Sequence, residues 1–380
     1  MTDEVTVAIA GGGIGGLALA AALRRDGHRV TVVERSPRID DAGSGLILYP
    51  NAMKALDAIS PRLGRTVRAA GHVARPGESR PLLSPAGETL STDPVGELGR
   101  QYGAPHVSLL RSRLQRALLA EARAAGAELL PGVRVEDHAD AGDGVKVVLD
   151  DGRTIGAHVL VGCDGINSVV RRRIVGDGPA PYRGFTTVRG RAPAPPGLPH
   201  GFVIKGPALD VFSAPIGGGH LYWTAKINAP AGTWPGKDPA AALSDLLERM
   251  SGWHDDVRSV VRGTAVADGV VITDIRDRDP VSRWSRGRVT LLGDAAHPMT
   301  PALGQGAGMS FEDCVVLAGC LRAEAGVDTA LTAYAERRSE RAGRMVRLSR
   351  AKGPAGEPTG MHTQDERLAG VFGWRPPRAP

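Results

Sequence analysis

Apolar and polar positions near the start of the chain predict a strand, a tight turn and a helix. The apolar run Val5 to Ala10 is followed by glycines and then by the continuous apolar stretch Leu17 to Leu23. A second apolar run, His28 to Val33, follows the breaker Gly27 and predicts another strand. Because strand, helix and strand alternate, we expect the beginning of a parallel sheet covered by helices.

Later segments divide into two groups with different patterns. The first continues the α/β pattern, with a helix at Arg111 to Gly126 and strands near Val133 to Glu136, Val145 to Leu149, His158 to Gly162 and Val289 to Leu292. The second group alternates as strands at Phe185 to Arg191, Gly201 to Lys205, Leu209 to Ala214 and His220 to Ile227, followed by a helix near Pro239 to Met250. We therefore expect two interleaved domains.

Three glycines between the first strand and the first helix fit the spacing G-x-G-x-x-G. Gly11 permits the turn, Gly13 lets the backbone approach a pyrophosphate, and Gly16 lets helix and strand pack closely. The free N–H groups at the helix start would face the phosphates. Glu34, at the end of the second strand, can accept hydrogen bonds from an adenosine ribose and would repel a 2′-phosphate. We therefore expect bound FAD or NAD rather than NADP.

Another glycine-centred stretch, near the end of the chain, favours a flavin over NAD. The strand Val289 to Leu292 leads into Gly293 and Asp294, where a ligand can lie against the carboxyl end of a sheet. The carboxylate of Asp294 can accept hydrogen bonds from a ribityl chain, which NAD lacks. The segment Pro301 to Met309 opens a predicted helix that runs through Leu321, and its N–H donors suit the negative charge of a reduced flavin.

With these motifs the chain resembles the single-component FAD-dependent aromatic monooxygenases, the group of para-hydroxybenzoate, salicylate and urate hydroxylases. The resemblance rests on Gly11 to Gly16 with Glu34 and Arg35, on Asp164 to Arg171, on Gly293 to Pro298 continuing to Gly308, and on Arg111. It implies an α/β fold in which a Rossmann-like FAD-binding domain is interleaved with a smaller β-sheet substrate domain. It also implies that NAD(P)H reduces the flavin, that O₂ adds to give a C4a-hydroperoxide, and that one oxygen atom moves to an aromatic substrate.

The resemblance and the motifs together assign cofactor residues and domain boundaries. The candidate FAD contacts are Gly11, Gly13, Ile14, Gly16, Glu34, Arg35, Arg111, Val135, Asp164, Asp294, Pro301, Gly304, Gly306, Ala307, Gly308 and Met309. The FAD-binding domain is predicted from 1–70, 105–178 and 284–350, the substrate domain from 71–104 and 179–283, and a C-terminal arm from 351–380.

Candidate substrate contacts lie in the predicted roof of the second domain. Alternate side chains of a strand share a face, so Asp210 and Phe212 point the same way, whereas Tyr222 and Trp223 point to opposite faces. In similar urate-type enzymes an arginine and a tyrosine handle an anionic substrate. Tyr222 matches the tyrosine, but Asp210 stands about where the arginine would be, which favours a neutral or basic substrate; an exposed strand position is an equally good interpretation of Asp210. His220 is a candidate proton relay.

Composition excludes several other classes of function. The 380 residues carry a net charge of +6, but aromatic residues make up only 4% and the arginines are dispersed, so we expect no nucleic-acid partner. The densest arginine cluster, over 337–350, predicts a solvated helix face or a subunit contact. The three cysteines lack metal-ligand spacing and we expect no metal site. Without a membrane-length apolar stretch or a signal peptide, we expect a cytoplasmic monomer or homodimer.

Two other functions remain open from the sequence. One is a flavin-dependent reductase or halogenase, although the five tryptophans never occur two apart as a halogenase element requires. The other is a flavoprotein that acts as a redox partner and turns over poorly. A reductase would consume NAD(P)H without O₂, so an anaerobic control separates it from a monooxygenase, and a long-lived reduced flavin in air would favour the redox partner.

Overall fold

The architecture comes from a computed structural model, which describes residues 4–39, 44–353 and 366–377. The strands, numbered in chain order, are β1 Thr6–Ala10, β2 Arg29–Glu34, β3 Gly45–Leu48, β4 His72–Val73, β5 Arg80–Leu83, β6 Thr89–Asp93, β7 Val107–Leu110, β8 Glu128–Pro131, β9 Val135–Asp140, β10 Val145–Leu149, β11 Thr154–Ala157, β12 Val159–Gly162, β13 Tyr182–Pro193, β14 Val203–Lys205, β15 Leu209–Pro215, β16 His220–Asn228, β17 Val271–Arg276, β18 Ser285–Arg286 and β19 Val289–Leu291. The helices are α1 Ile14–Arg25, α2 Pro50–Ile59, α3 Pro61–Ala70, α4 Leu98–Tyr102, α5 Arg111–Ala124, α6 Val169–Ile174, α7 Pro239–Arg249, α8 Asp255–Arg262, α9 Gly306–Ala323, α10 Val327–Arg350 and α11 Glu366–Phe372.

A six-stranded sheet forms the centre of the first half of the molecule. Its order is β18-β19-β12-β1-β2-β8, and all neighbours except β18 and β19 are parallel. The strands β1 and β12 are buried almost throughout, as expected for a sheet covered on both faces. Helix α1 is buried from Gly16 to Leu23, because its alanines allow close packing against neighbouring elements. This is the α/β arrangement that the sequence predicts.

A seven-stranded sheet forms the centre of the second half of the molecule. We call it the roof, because it covers a cavity that lies between the two large sheets. Its order is β17-β13-β16-β15-β14-β5-β6, antiparallel except for the β14–β5 pair. The side of this sheet away from the cavity buries a separate core, which includes Trp223, Trp234 and Leu246. The two large sheets therefore draw their strands from alternating stretches of chain, while the exact domain boundaries stay a prediction.

Two three-stranded sheets complete the fold. The sheet β11-β10-β9 is antiparallel and lies beside the first half, and the sheet β3-β7-β4 connects the two halves. A small apolar cluster, which includes Ile47, Tyr49 and Ala214, joins residues from both halves. The cavity between the sheets thus has a packed boundary at this end.

The predicted helix from Pro301 begins later than the sequence suggested. Pro301–Leu303 form a short 3₁₀ turn, and α9 starts only at Gly306. Gly304 has φ +62°, a left-handed conformation that ends the turn and is costly for residues other than glycine. The segment Pro301 to Met309, predicted to contact the cofactor, is therefore divided between a loop and the first turn of α9.

The C-terminal segment is in part a helix that packs against the body. The expected arm at 351–380 includes residues 354–365 and 378–380, which lie outside the described residues. Helix α11, however, buries Leu368, Val371 and Phe372. The ring of Phe372 stacks on Tyr49 with 4.9 Å between ring centroids. This contact places the C-terminal helix directly behind a residue of the cavity wall.

Across the part of the chain that the structure describes, no helix is both long enough and apolar enough to cross a membrane.

Replacing Phe372 by alanine tests the docking of α11. The side chain is fully buried, so its removal leaves a cavity and should lower the free energy of unfolding by about 3 kcal/mol in urea denaturation. Leu90→Ala is the control, because Leu90 is 61% exposed and its loss should cost less than about 0.5 kcal/mol. Equal stability of the two variants would contradict the packing described for α11.

Candidate active site

A cavity of about 480 Å³ lies between the six-stranded sheet and the roof. Both glycine motifs and the roof strands contribute to its wall, through residues such as Gly13, Asp294 and Tyr222. Another depression, of about 560 Å³, is open to solvent beside Pro37 and Leu129 and carries none of the predicted motifs. The first cavity is therefore the candidate site.

The turn between β1 and α1 requires glycine at two positions. Gly11 has φ +105°, and a Cβ there would collide with the carbonyl oxygen of Cys163. A Cβ on Gly16 would collide with the carbonyl of Gly11, so the helix can approach the strand only without a side chain. At Gly13, by contrast, a Cβ would meet nothing within 4 Å, because this residue faces the cavity. These are the separate roles expected for a phosphate-binding turn.

The start of α1 presents free N–H groups to the cavity. Gly13, Ile14 and Gly15 line the wall, and among the described residues no side chain caps this helix start. The positive end of the helix dipole therefore faces the space where a pyrophosphate would lie. Gln115 on α5, which the sequence analysis missed, holds the turn in place by donating to the carbonyl of Gly12 over 2.7 Å.

Half of the predicted cofactor residues lie outside the cavity wall: Gly11, Gly16, Glu34, Arg35, Val135, Asp164, Gly308 and Met309. Glu34 accepts hydrogen bonds from the backbone N–H groups of Gly12 and Ser36, at 2.7 and 2.8 Å. It thus fixes the glycine turn. Arg35 is exposed, and Val135 is buried at the start of β9.

Asp164 mainly holds the backbone of its own motif, Asp164 to Arg171, in place. One carboxylate oxygen accepts from the N–H of Val169 at 2.7 Å, which caps the start of α6 together with Ser168. The other oxygen is buried and has no hydrogen-bond partner among the described residues. Burial raises the pKa of Asp164 despite these hydrogen bonds. The neighbours Cys163 and Gly165 line the cavity, whereas Asp164 itself lies behind them.

Asp294 and Arg111 contribute opposite charges to the cavity wall. The carboxylate of Asp294 is accessible from the cavity but enclosed by protein, so desolvation raises its pKa, while His297 and Arg111 act in the opposite direction. Desolvation likewise lowers the pKa of Arg111, and Asp294 opposes that shift. An aspartate in this setting is a strong acceptor for the hydroxyl groups of a ligand.

The loop before α9 supplies backbone donors to the same space. Pro301, Gly304, Gly306 and Ala307 line the cavity, as predicted. Gly308 and Met309 do not: Gly308 lies against Asn51 and Gln305, and Met309 is buried in the core between the two halves. Of the contacts with FAD that were predicted for Pro301 to Met309, only those up to Ala307 therefore lie in the cavity wall.

A buried ion network fixes this loop and the Gly293 turn. Arg338 on α10 donates to Asp313 and to Glu312 on α9, both at 2.7 Å, and all three side chains are almost completely buried. Asp313 also accepts from the N–H of Gly293 at 3.1 Å and hydrogen-bonds His297 at 2.6 Å. His297 is thus a structural, hydrogen-bonded histidine.

The sequence analysis missed the burial of Arg338. The arginines over 337–350 were predicted to form a solvated face or a subunit contact, and Arg337, Arg344 and Arg347 are indeed exposed. Arg341, on the same predicted face, instead donates to Glu312 at 2.7 Å and is only 25% exposed. Arg338 lies one position away from that face and is 1% exposed. The signal that could have revealed it was the adjacent pair Glu312 and Asp313 in an otherwise apolar helix.

The roof brings Asp210 and Tyr222 into the cavity wall but not His220. Asp210, Phe212 and Tyr222 all line the cavity. Trp223 points to the other face, where its indole N–H donates to Thr264 at 2.8 Å. His220 lies at the exposed start of β16 and contacts the carbonyl of Gly218 at 2.9 Å, outside the cavity wall. We therefore withdraw His220 as a proton relay.

The charge of Asp210 is compensated by its neighbours. The registers of β14, β15 and β16 place Lys205, Asp210 and Lys226 in one row across the sheet. The ammonium of Lys226 lies 3.9 Å from the carboxylate of Asp210. Because Asp210 is flanked by two lysines, its charge gives no reason to expect a basic substrate. The preference for a neutral or basic substrate that Asp210 suggested in the sequence is therefore not supported.

Two arginines flank Tyr222 at the inner end of the roof. Arg189 lines the cavity, and Arg80 is fully buried with its guanidinium carbon 4.7 Å from the ring centroid of Phe212. Burial raises the pKa of Tyr222, and both arginines oppose that shift. Arg80 was missed because it is more than a hundred residues away from Phe212 in sequence, with no motif to connect them.

These observations fit an FAD molecule in an extended conformation. The glycine turn leaves open space at Gly13, the start of α1 supplies N–H donors, and Asp294 presents an enclosed acceptor farther along the same cavity. A model of the FAD-binding domain family matches residues 4–349. The chain belongs to the FAD-binding domain family.

Relatives of known activity narrow the assignment to monooxygenases. Aurachin C monooxygenase/isomerase of Stigmatella aurantiaca is 39% identical over 359 residues, which cover 94% of this chain and 91% of that protein. The 3-amino-4-hydroxybenzoate 2-monooxygenase of Streptomyces cremeus is 36% identical and covers 85% and 80%, respectively. The chain is accordingly a flavin-dependent monooxygenase, and the relatives give no support to a reductase, halogenase or redox partner.

Solved structures agree with this fold. Klebsiella pneumoniae HpxO, in complex with FAD and uric acid, superimposes with a TM-score of 0.83 at 26% sequence identity. The match covers 98% of this chain and 92% of that one. The interleaved arrangement of an FAD-binding half and a roof sheet is therefore shared with a flavoprotein.

Replacing Arg338 by methionine tests the buried network. The change removes the guanidinium that Asp313 and Glu312 share, which leaves Asp313 with His297 and Glu312 with Arg341, so we expect a loss of about 3 kcal/mol in the free energy of unfolding at neutral pH. Arg337→Met is the matched control, because Arg337 is half-exposed and its contact with Glu324 is 3.6 Å, which predicts a loss below about 1 kcal/mol.

The pH dependence of the free energy of unfolding gives a second test of the network. Burial alone would raise the pKa of Asp313, but His297 and Arg338 hold it below its usual value of 3.8. A lowered pKa stabilises the fold above the unfolded value and loses that contribution as the pH falls. The difference between wild type and Arg338→Met should therefore stay constant from pH 8 to about pH 5 and shrink only as the pH falls below about 4. A difference that does not shrink below that pH, or that matches the control, would contradict the role of the network.

Proposed function

We propose that this monooxygenase binds FAD in the cavity, takes reducing equivalents from NAD(P)H, and inserts one oxygen atom of O₂ into an aromatic or polycyclic small molecule. The observation that supports this proposal most strongly is the continuity of the cavity from Gly13 through Asp294 to Tyr222. One wall holds the flavin motifs and the other is a roof with aromatic and cationic side chains. Hydroxylation and epoxidation both suit such a site.

The chain's own residues have distinct tasks in this proposal. The N–H groups at Gly13, Ile14 and Gly15 bind the pyrophosphate, and Asp294 accepts hydrogen bonds from the ribityl hydroxyls. Gly304 and Gly306 bring backbone close to the isoalloxazine ring. Bound FAD supplies the oxygen-activating chemistry, while the protein orients the cofactor and excludes water from the reacting atoms.

Substrate selection falls to the roof in this proposal. Phe212 and Tyr222 offer an apolar and aromatic surface, and Arg189 lies beside the Tyr222 hydroxyl end of the cavity. Five cationic residues line the cavity, Arg111, Arg189, Lys205, Lys226 and Lys352, against the acidic Asp210 and Asp294. This balance favours a neutral substrate or one with an acidic group, such as a phenol, over a basic one.

The cellular setting is part of the same proposal. A chain with free cysteines at 163, 314 and 320 suits a reducing compartment, and we propose the cytoplasm. We propose a monomer or homodimer that turns over by itself, with no nucleic-acid or membrane partner.

Replacing Asp294 by alanine tests the cofactor assignment. The change removes an enclosed acceptor, so we expect FAD to bind more weakly by about 1–3 kcal/mol in equilibrium titration of the apoprotein. The control is Asp143→Ala, in an exposed turn between β9 and β10, which should leave FAD affinity unchanged. Equal affinity of the two variants would remove Asp294 from the site.

A substrate screen tests the reaction. Phenolic, indolic and polycyclic compounds are incubated with the FAD-loaded protein, NADH or NADPH, and air, and products are analysed by mass spectrometry. We expect some compounds to accelerate NAD(P)H oxidation and to gain one oxygen atom, which derives from ¹⁸O₂ when that gas is supplied. A product that forms equally well without O₂ would instead establish a reductase.

A further inference from the structure

A cluster outside the cavity combines two histidines and one glutamate. Among the described residues, the ligand atoms of His72, Glu78 and His200 all lie within 4.8 Å of one another. The Nε2 atom of His72 is 2.7 Å from a carboxylate oxygen of Glu78, and Nδ1 of His200 is 3.7 Å from the same oxygen. We propose that these three side chains form a binding site for a divalent transition-metal ion, and we commit to Zn²⁺.

The donor set and its spacing suit this ion. Zn²⁺ binds histidine nitrogen and carboxylate oxygen at about 2.0–2.2 Å, so the ligand atoms of a tetrahedral site lie about 3.3–3.6 Å apart. The separations of 2.7 and 3.7 Å from Glu78 lie on either side of that range, and the two histidine nitrogens lie within 4.8 Å of each other, so an ion would draw the rings together. Three protein ligands leave the fourth position for water.

The backbone holds the three residues from separate elements. His72 lies on β4, which is hydrogen-bonded to β7. Glu78 lies in a turn in which its N–H donates to Arg75 and its carbonyl accepts from Gly96. His200 precedes β14 in a turn closed by a hydrogen bond from Gly201 to Leu198. The site is therefore largely formed before an ion binds, which reduces the entropic cost of binding.

Charge and exposure also favour a cation at this position. Glu78 is only 10% exposed, and its ion pairs among the described residues are with His72 and His200 alone. A carboxylate that is almost fully buried between two imidazole rings is a favourable position for a cation. His200 is 44% exposed and leaves a route for an ion to enter from solvent.

Such an ion would connect the sheet β3-β7-β4 to the roof. Strand β4 belongs to the sheet whose strand β3 lines the cavity, whereas Glu78 and His200 precede the roof strands β5 and β14. The site would act as a structural link, and it does not depend on the proposed reaction. From the sequence we expected no metal site, and that expectation rested on the spacing of the three cysteines alone.

Metal titration of three variants tests the proposal. Untagged protein is stripped with a chelator, dialysed, and titrated with Zn²⁺ by calorimetry and with Co²⁺ by visible absorption. We expect one ion per chain, Co²⁺ absorption bands typical of imidazole and carboxylate ligation, and a higher Tm with Zn²⁺. Glu78→Gln and His200→Ala should each weaken binding on the order of tenfold or more.

The control is His220→Ala, since the exposed side chain of His220 hydrogen-bonds, among the described residues, only the backbone carbonyl of Gly218. It should bind both ions as wild type does. Should Glu78→Gln fail to fold, His200→Ala decides, because His200 lies in a partly exposed loop. Absence of saturable Zn²⁺ binding to the wild type, or unchanged affinity in His200→Ala, would overturn the proposal.

Discussion

The buried contacts of Arg338 with Glu312 and Asp313 are the interaction on which the geometry of the cavity most depends. Burying three charges is costly, and the cost is offset only because each charge meets a partner at hydrogen-bond distance. Asp313 in turn holds the N–H of Gly293, and Glu312 accepts from Asn51 on α2. One cluster therefore fixes the turn that presents Asp294, the start of α9 and the adjacent helix α2.

The two walls of the cavity have different origins. On one side glycines let the backbone lie close to the cavity, and on the other the side chains of the roof strands alternate between the cavity and the core behind it. The glycine turn and the uncapped start of α1 give a surface of N–H donors, which suits phosphate. The roof presents Tyr222 and Phe212 inward and Trp223 outward, because neighbouring residues of a strand face opposite sides. The cationic groups around these aromatic rings give the cavity a polarity that a neutral or acidic ring can match.

The sequence predicts local features of this protein well and long-range contacts poorly. Strands, helices, the glycine turn and the cavity position of Asp294 follow from residue patterns within a few dozen positions. The burial of Arg338 and Arg80 does not follow from such local patterns. Their partners are distant in sequence, and the spacing of apolar residues along a single helix or strand does not identify them. Asp210 shows the same limit: its place in the wall was predictable, but the lysines beside it come from two other strands. The helix α11 is short and follows a Gly- and Pro-rich stretch, so its docking on Tyr49 had no local signal.

The central claim is that one cavity holds an FAD molecule between the glycine turn and the roof. A crystal structure of the protein reconstituted with FAD tests it most directly. We expect the pyrophosphate at the start of α1, the ribityl chain against Asp294, and the isoalloxazine ring beneath Tyr222. An isoalloxazine located away from the roof, or a protein that takes up no FAD, would contradict the account.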